Sequence, residues 1–169
     1  MELMKVLVGF SEIANRMSEY YLWLMRNFKG DSEASSFFLR LSQDEVKNYL
    51  DVNSGIKSLI KSGEVFKEIE ISSDLMCGTL SRINYFKIEH PHPSLEQALE
   101  FAISFEGDEA RRELFLRAGQ SQPGIEPLVK SLLNADQRHL QALQQFFKKR
   151  QLRGSTQSGF QKSSPVAQI

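Results

Sequence analysis

The sequence predicts an all-α fold, a four-helix bundle made of two helical hairpins joined by a long crossover. Three observations predict it. Apolar residues recur at steps of three or four along four long segments, the period of helices with one buried face. Short junctions rich in Gly, Asp or Pro join the first segment to the second and the third to the fourth, so each pair must fold back on itself. Between the pairs, residues 63–93 break the pattern for long enough to carry the chain across the bundle.

The first helix runs from about Leu3 to Phe28, with Val6, Phe10, Ile13, Met17, Tyr20, Leu24 and Phe28 on one stripe. Gly30 stops it, and Asp31 is placed to cap the next helix through its side-chain oxygen. That second helix carries Phe38, Leu41, Glu45, Asn48 and Val52 on one face and continues toward Ile60, with Gly55 as a weak point. In the crossover, Val65, Phe66, Ile69 and Ile71 make an irregular apolar patch, and Leu75 to Phe86 has room for a short helix. Pro91 and Pro93 then prevent regular structure. Ser94 and Gln97 fit a capping box, from which a third helix extends to Gly119 with Leu95, Leu99, Ala102, Glu106 and Ala110 inward. After Pro123 and Pro127, the fourth helix presents Leu128, Leu132, Asp136, His139, Leu143 and Phe147. The bundle therefore spans 1–153, and the polar stretch 154–169 reads as a disordered tail.

The bulk composition narrows the functional classes. Lys plus Arg and Asp plus Glu are both 21, so a dedicated nucleic-acid binder, which carries a basic excess, is not expected. The cations that end the fourth helix, Lys148, Lys149, Arg150 and Arg153, are explained by its dipole. No apolar run is long enough to span a bilayer. The lone cysteine, Cys77, forbids an internal disulfide or a Cys-x-x-Cys knuckle and reads as a small core residue. With no signal-peptide pattern at Met1-Glu2-Leu3-Met4, a cytoplasmic protein is expected. Outward apolar residues, Trp23 and several Phe among them, point to a homodimer.

The chemistry-bearing residues form a repeated pattern. Asp136-x-x-His139 follows Glu106 on the preceding helix, and Glu45-x-x-Asn48 follows Glu12 at nearly the same interval. Residues three apart share a helix face, and here that face is otherwise apolar. Buried carboxylates need cations or protons to neutralise them. Glu12, Glu45, Glu106 and Asp136 would together match two divalent ions, and carboxylate oxygens with imidazole suit iron or manganese. Glu109 adds a further candidate, although pairing with Arg112 or Arg117 at the surface is an equal reading. Glu12 lies about 100° from Ile13 and the main stripe, and Glu19 competes for its role.

On Glu12, Asp44-Glu45-Val46-Lys47-Asn48, Ala102-x-x-x-Glu106-x-x-Glu109 and Asp136-Gln137-Arg138-His139, residues 5–150 resemble the rubrerythrin-type branch of the ferritin-like superfamily. Ser94-Leu95-Glu96-Gln97-Ala98-Leu99-Glu100 is similar to the start of that family's third helix. The resemblance implies a ferritin-like bundle and a metal site of Glu12, Glu45, Asn48, Glu106, Glu109, Asp136 and His139. It also implies iron as cofactor, one or two ions, with manganese or zinc as alternatives, and a non-haem oxidoreductase acting on oxygen, peroxide or ferrous iron. The chain departs from the family pattern of two Glu-x-x-His motifs at Asn48, where the family has His, and at Asp136, where it has Glu. Without rubredoxin-type cysteine pairs, electrons would come from an external donor. The competing expectation is a non-enzymatic bundle with a degenerate site, which Asn48 supports.

Overall fold

The stripe from Val6 to Leu24 folds into helix α1, Leu3–Asn27, and all six of its residues in that span are buried. A computed structural model describes residues 1–63, 65–70 and 73–159, and the side chains of all of these except 73, 123 and 154–159. Helix α2, Ser32–Ser62, opens where expected, with the Asp31 carboxylate accepting from the Ala34 N–H at 3.0 Å. It buries Phe38, Leu41, Glu45, Asn48 and Val52. The two helices run antiparallel, since Ser42 bonds Ser18 while Asn53 bonds Ser11.

Helix α2 runs unbroken through Gly55. A Cβ there would come within 2.9 Å of the Leu128 side chain, so the glycine lets another helix approach closely. Gly63, with φ of 69°, ends α2 in the left-handed region that favours glycine.

The crossover holds more structure than expected. Leu3 N–H donates to Lys67 O at 2.9 Å and Ile69 N–H to Met1 O at 2.8 Å, tying the chain start to residues 67–69. Helix α3, Ser73–Glu89, extends beyond Leu75–Phe86 and packs on α1, burying Met76, Thr79, Ile83 and Phe86. Cys77 is exposed, correcting its reading as a core residue: it follows Met76 by one residue and so points about 100° away. Trp23 is half-buried, with Phe86 and Tyr20 packed beside it and Lys87 over its ring. Ile71 lies outside the described residues.

The third predicted helix is two. Helix α4, Leu95–Glu106, begins with the Ser94–Gln97 capping box and stops at Gly107. Asp108 then caps helix α5, Glu109–Ser121, by accepting from the N–H groups of Ala110 and Arg111. Asp108 also pairs with Arg82 of α3, fixing the break in position. After a short 3₁₀ turn at Pro123–Ile125, helix α6 runs over Glu126–Gly159. It extends past Arg153, as propagation of an established helix permits even through weak formers. Residues 160–169, and with them most of the expected tail, lie outside the described residues.

Helix α6 packs on α2, α4 and α5. Its antiparallel register with α2 is fixed at both ends, by Arg150 with Asp31 and Glu33, and by Leu128 against Gly55. Between them, Phe37 stacks on Phe146 with ring centroids 4.2 Å apart. The described residues thus form an all-helical bundle with no strand, and none of their helices is long and apolar enough to cross a membrane. The inner stripe of α6 is Val129, Leu132, Ala135, His139, Leu143 and Phe146. Asp136 flanks it and retains partial exposure.

Candidate metal centre

Helices α2, α4 and α6 each bring one ionisable side chain to the same point in the core. Glu45, Glu106 and His139 are buried, and one ligand atom of each lies within 4.8 Å of the other two. Glu45 sits one turn after Leu41 and about two turns before Val52, so its helix face must turn inward. Glu106 is the last residue of α4, and His139 occupies the centre of the α6 stripe. His139 Nδ1 is 3.0 Å from Glu45 Oε1 and 3.5 Å from Glu106 Oε1, yet neither oxygen is aligned for a hydrogen bond. Nε2 lies 3.6 Å from Asp44 Oδ2 and is likewise without a hydrogen bond. A buried imidazole with two unbonded nitrogens is costly on its own.

The carboxylates are held from behind. Tyr21 O–H of α1 donates to Glu106 Oε1 at 2.8 Å, and the Asn48 amide donates to Glu45 Oε2 at 3.2 Å. Arg111 of α5 donates to Glu106 Oε2 at 2.8 Å, and the same nitrogen lies 3.0 Å from Asp136 Oδ2. Its side chain is only 2% exposed, and its guanidinium carbon lies 4.6 Å from the centroid of the Phe105 ring.

These contacts set the charge states. Burial opposes ionisation of Glu106, but Arg111 and His139 overcome it and hold its pKa down at about 2. Burial pushes Asp136 up to about 8, against the pull of Arg111. Burial also raises Glu45, partly offset by His139 and Asn48. For His139, burial works against the charged ring, but Glu106 and Glu45 raise its pKa to about 10. Burial and the adjacent Glu106 keep Tyr21 neutral, its pKa well above the ordinary phenol value. With a proton on both His139 and Asp136, the cluster is electrically neutral. Without those protons, three carboxylates and one guanidinium leave two negative charges, the complement of one divalent ion.

Not every predicted residue joins this cluster. Glu45, Glu106 and His139 do. Asp136 reaches it through Arg111, and Asn48 turns a donor toward Glu45, which makes it a support for that carboxylate. Glu12 stays on the outer side of α1, 40% exposed and bonded to Arg16 at 2.6 Å, because its position is rotated off the stripe. The competing Glu19 is exposed as well. Glu109 is 83% exposed beside Arg112, since the break at Gly107 gives α5 a new face register. His90 and His92 join no such group among the described residues.

Two participants escaped the sequence reading. Tyr21 adjoins Tyr20 of the apolar stripe, and its spacing does not distinguish it from a tyrosine that only packs and hydrogen-bonds. Arg111 lay in plain view, three, four and seven residues before the buried Leu114, Phe115 and Ala118. Reading α4 and α5 as one helix put Ala110 inward instead, and this hid the arginine.

The arrangement defines a helical bundle with a buried carboxylate–histidine cluster able to hold a metal ion. No protein-family model, curated protein or solved structure matches the chain.

Proposed function

We propose that this chain is a ferritin-like, rubrerythrin-type protein that binds iron between its hairpins and acts as a non-haem oxidoreductase on oxygen, peroxide or ferrous iron. The observation that carries the reading is the buried convergence of two carboxylates on an imidazole whose ring nitrogens lack hydrogen bonds. The donor set of two oxygens and one nitrogen suits iron or manganese, and zinc is compatible with it. Iron held there would supply one-electron redox chemistry in a water-poor setting.

The chain's own groups would do the rest. Tyr21 and Arg111 fix both oxygens of Glu106, and Asn48 fixes the outer oxygen of Glu45. Such partners orient ligand atoms and raise a site's affinity. A cavity of about 70 Å³ lined by Glu106, Asp108, Glu109 and Asp136 among others reaches the cluster from the Glu106 side. The exposed lone Cys77 offers no two-cysteine electron relay, so the reading includes an external donor. Val46, Leu50 and Ile60, all exposed on α2, are the apolar surface that a homodimer would use.

A second reading has its own support. Arg111 and a protonated His139 already offset the buried acids, so a metal-free bundle serving as a scaffold is electrostatically self-consistent. Metal analysis separates the two. Protein purified without chelator, or reconstituted anaerobically with Fe²⁺ or Mn²⁺, should carry near-stoichiometric metal, and Glu45→Gln and His139→Ala should lose it. No metal after reconstitution would favour the scaffold.

A further inference from the structure

We propose that the Arg111 guanidinium takes the role of a second metal ion, so that the site holds one divalent cation per chain. The inference rests on the metal-binding reading above and deepens it. One guanidinium nitrogen bridges Glu106 Oε2 and Asp136 Oδ2, at 2.8 Å and 3.0 Å, linking acids from α4 and α6 as a cation would. The same nitrogen approaches the Glu106 carbonyl oxygen at 3.3 Å. A second ion would need those carboxylate oxygens, and a fully buried, permanently charged group already uses them.

The remaining atoms converge on the other side of Glu106, where Glu45 Oε1, Glu106 Oε1 and His139 Nδ1 face one another. Among the described residues no further ligand completes a second set. Asn48 donates an amide hydrogen to Glu45, and Glu12 and Glu109 face outward. Charge gives the same count, because the three acids less Arg111 balance one divalent ion.

The test loads wild-type protein, Arg111→Gln and Arg111→Lys with Mn²⁺, and measures ions per chain by elemental analysis and affinity by calorimetry. Wild type and Arg111→Lys should each bind one ion. Arg111→Gln should bind more tightly, on the order of tenfold or more, as removal of a unit positive charge near the ion requires, and should admit more than one ion per chain. Two ions on wild type, or an Arg111→Gln protein that matches wild type in both measures, would overturn the inference and leave the metal reading intact. No ion on wild type would overturn both. Should Arg111→Gln fail to fold, Asp136→Asn decides. It removes the outer partner of Arg111 while sparing Glu45, Glu106 and His139, so one ion per chain must remain, and loss of that ion would overturn the proposal.

Discussion

The two halves of this bundle treat their acids in opposite ways. The α1–α2 hairpin is built from two unbroken helices and commits one carboxylate, Glu45, to the core while leaving Glu12 at the surface. The α4–α5–α6 half breaks its first helix at Gly107, and this break delivers a buried arginine beside Glu106 and Asp136. Continuous helices keep the register that their apolar stripe dictates. A two-residue break resets it, and here the reset turns Arg111 inward while Glu109 turns out. The second half therefore carries its own counter-charge, and the first depends on the second for one.

The largest expected effect attacks that counter-charge. Arg111→Met should destabilise the metal-free protein by about 3–5 kcal/mol, because the ionised Glu106 would remain buried without its cation. Arg16→Met in the other half removes the half-exposed partner of Glu12 and should cost less than about 1 kcal/mol. Urea unfolding of the two variants measures the contrast directly. Equal losses would mean that Arg111 is no more than a surface-type ion pair.

A smaller effect is expected from pH. His139 holds its proton to about pH 10 in the folded chain against an ordinary value of 6.5, and Asp136 to about pH 8 against 3.8. In both cases the folded state binds the proton more tightly than the unfolded state. The stability each confers is complete below its unfolded pKa and is lost as pH rises through its folded pKa. The lowered pKa of Glu106 acts in the opposite sense, but only in the acid window between about 2 and 4.5. The metal-free protein should thus lose roughly 1–3 kcal/mol between pH 7 and 9, as seen in its urea midpoint. His139→Gln should flatten that slope, and a metal that displaces these protons should bind more tightly as pH rises. A midpoint that stays level from pH 7 to 9 would remove His139 from the charged network.

Helical periodicity made most of the architecture legible. The stripes of α1 and α2, the Asp31 cap and the Ser94–Gln97 box are local consequences of residue type, and the structure contains each of them. Glu45, Glu106 and His139 were legible for the same reason, since each interrupts a stripe that is otherwise apolar. The break at Gly107-Asp108 was not. An apolar phase can be continued across a single glycine on paper, and only the cap that Asp108 gives to Ala110 and Arg111 reveals the restart. The exposure of Cys77 was hidden similarly, because α3 has a weak stripe and its inward face is set by contact with α1.

The smallest expected effect concerns the acid that its motif position favoured and its stripe position did not. Glu12→Gln and Glu45→Gln make the same chemical change on neighbouring helices. At Glu12 the change deletes a half-exposed pair between residues one helical turn apart, worth about 0.3–0.5 kcal/mol, and touches nothing in the core. At Glu45 it removes a charge 3.0 Å from His139 Nδ1 and with it one of the three converging ligand atoms. Mn²⁺ titration should therefore give Glu12→Gln the wild-type affinity, while Glu45→Gln binds too weakly to saturate. If Glu12→Gln lost affinity to the same degree, α1 would have to swing its acid inward on metal binding. The contrast between the halves would then describe only the metal-free state, and the one-ion count built on Arg111 would have to accommodate a fourth carboxylate.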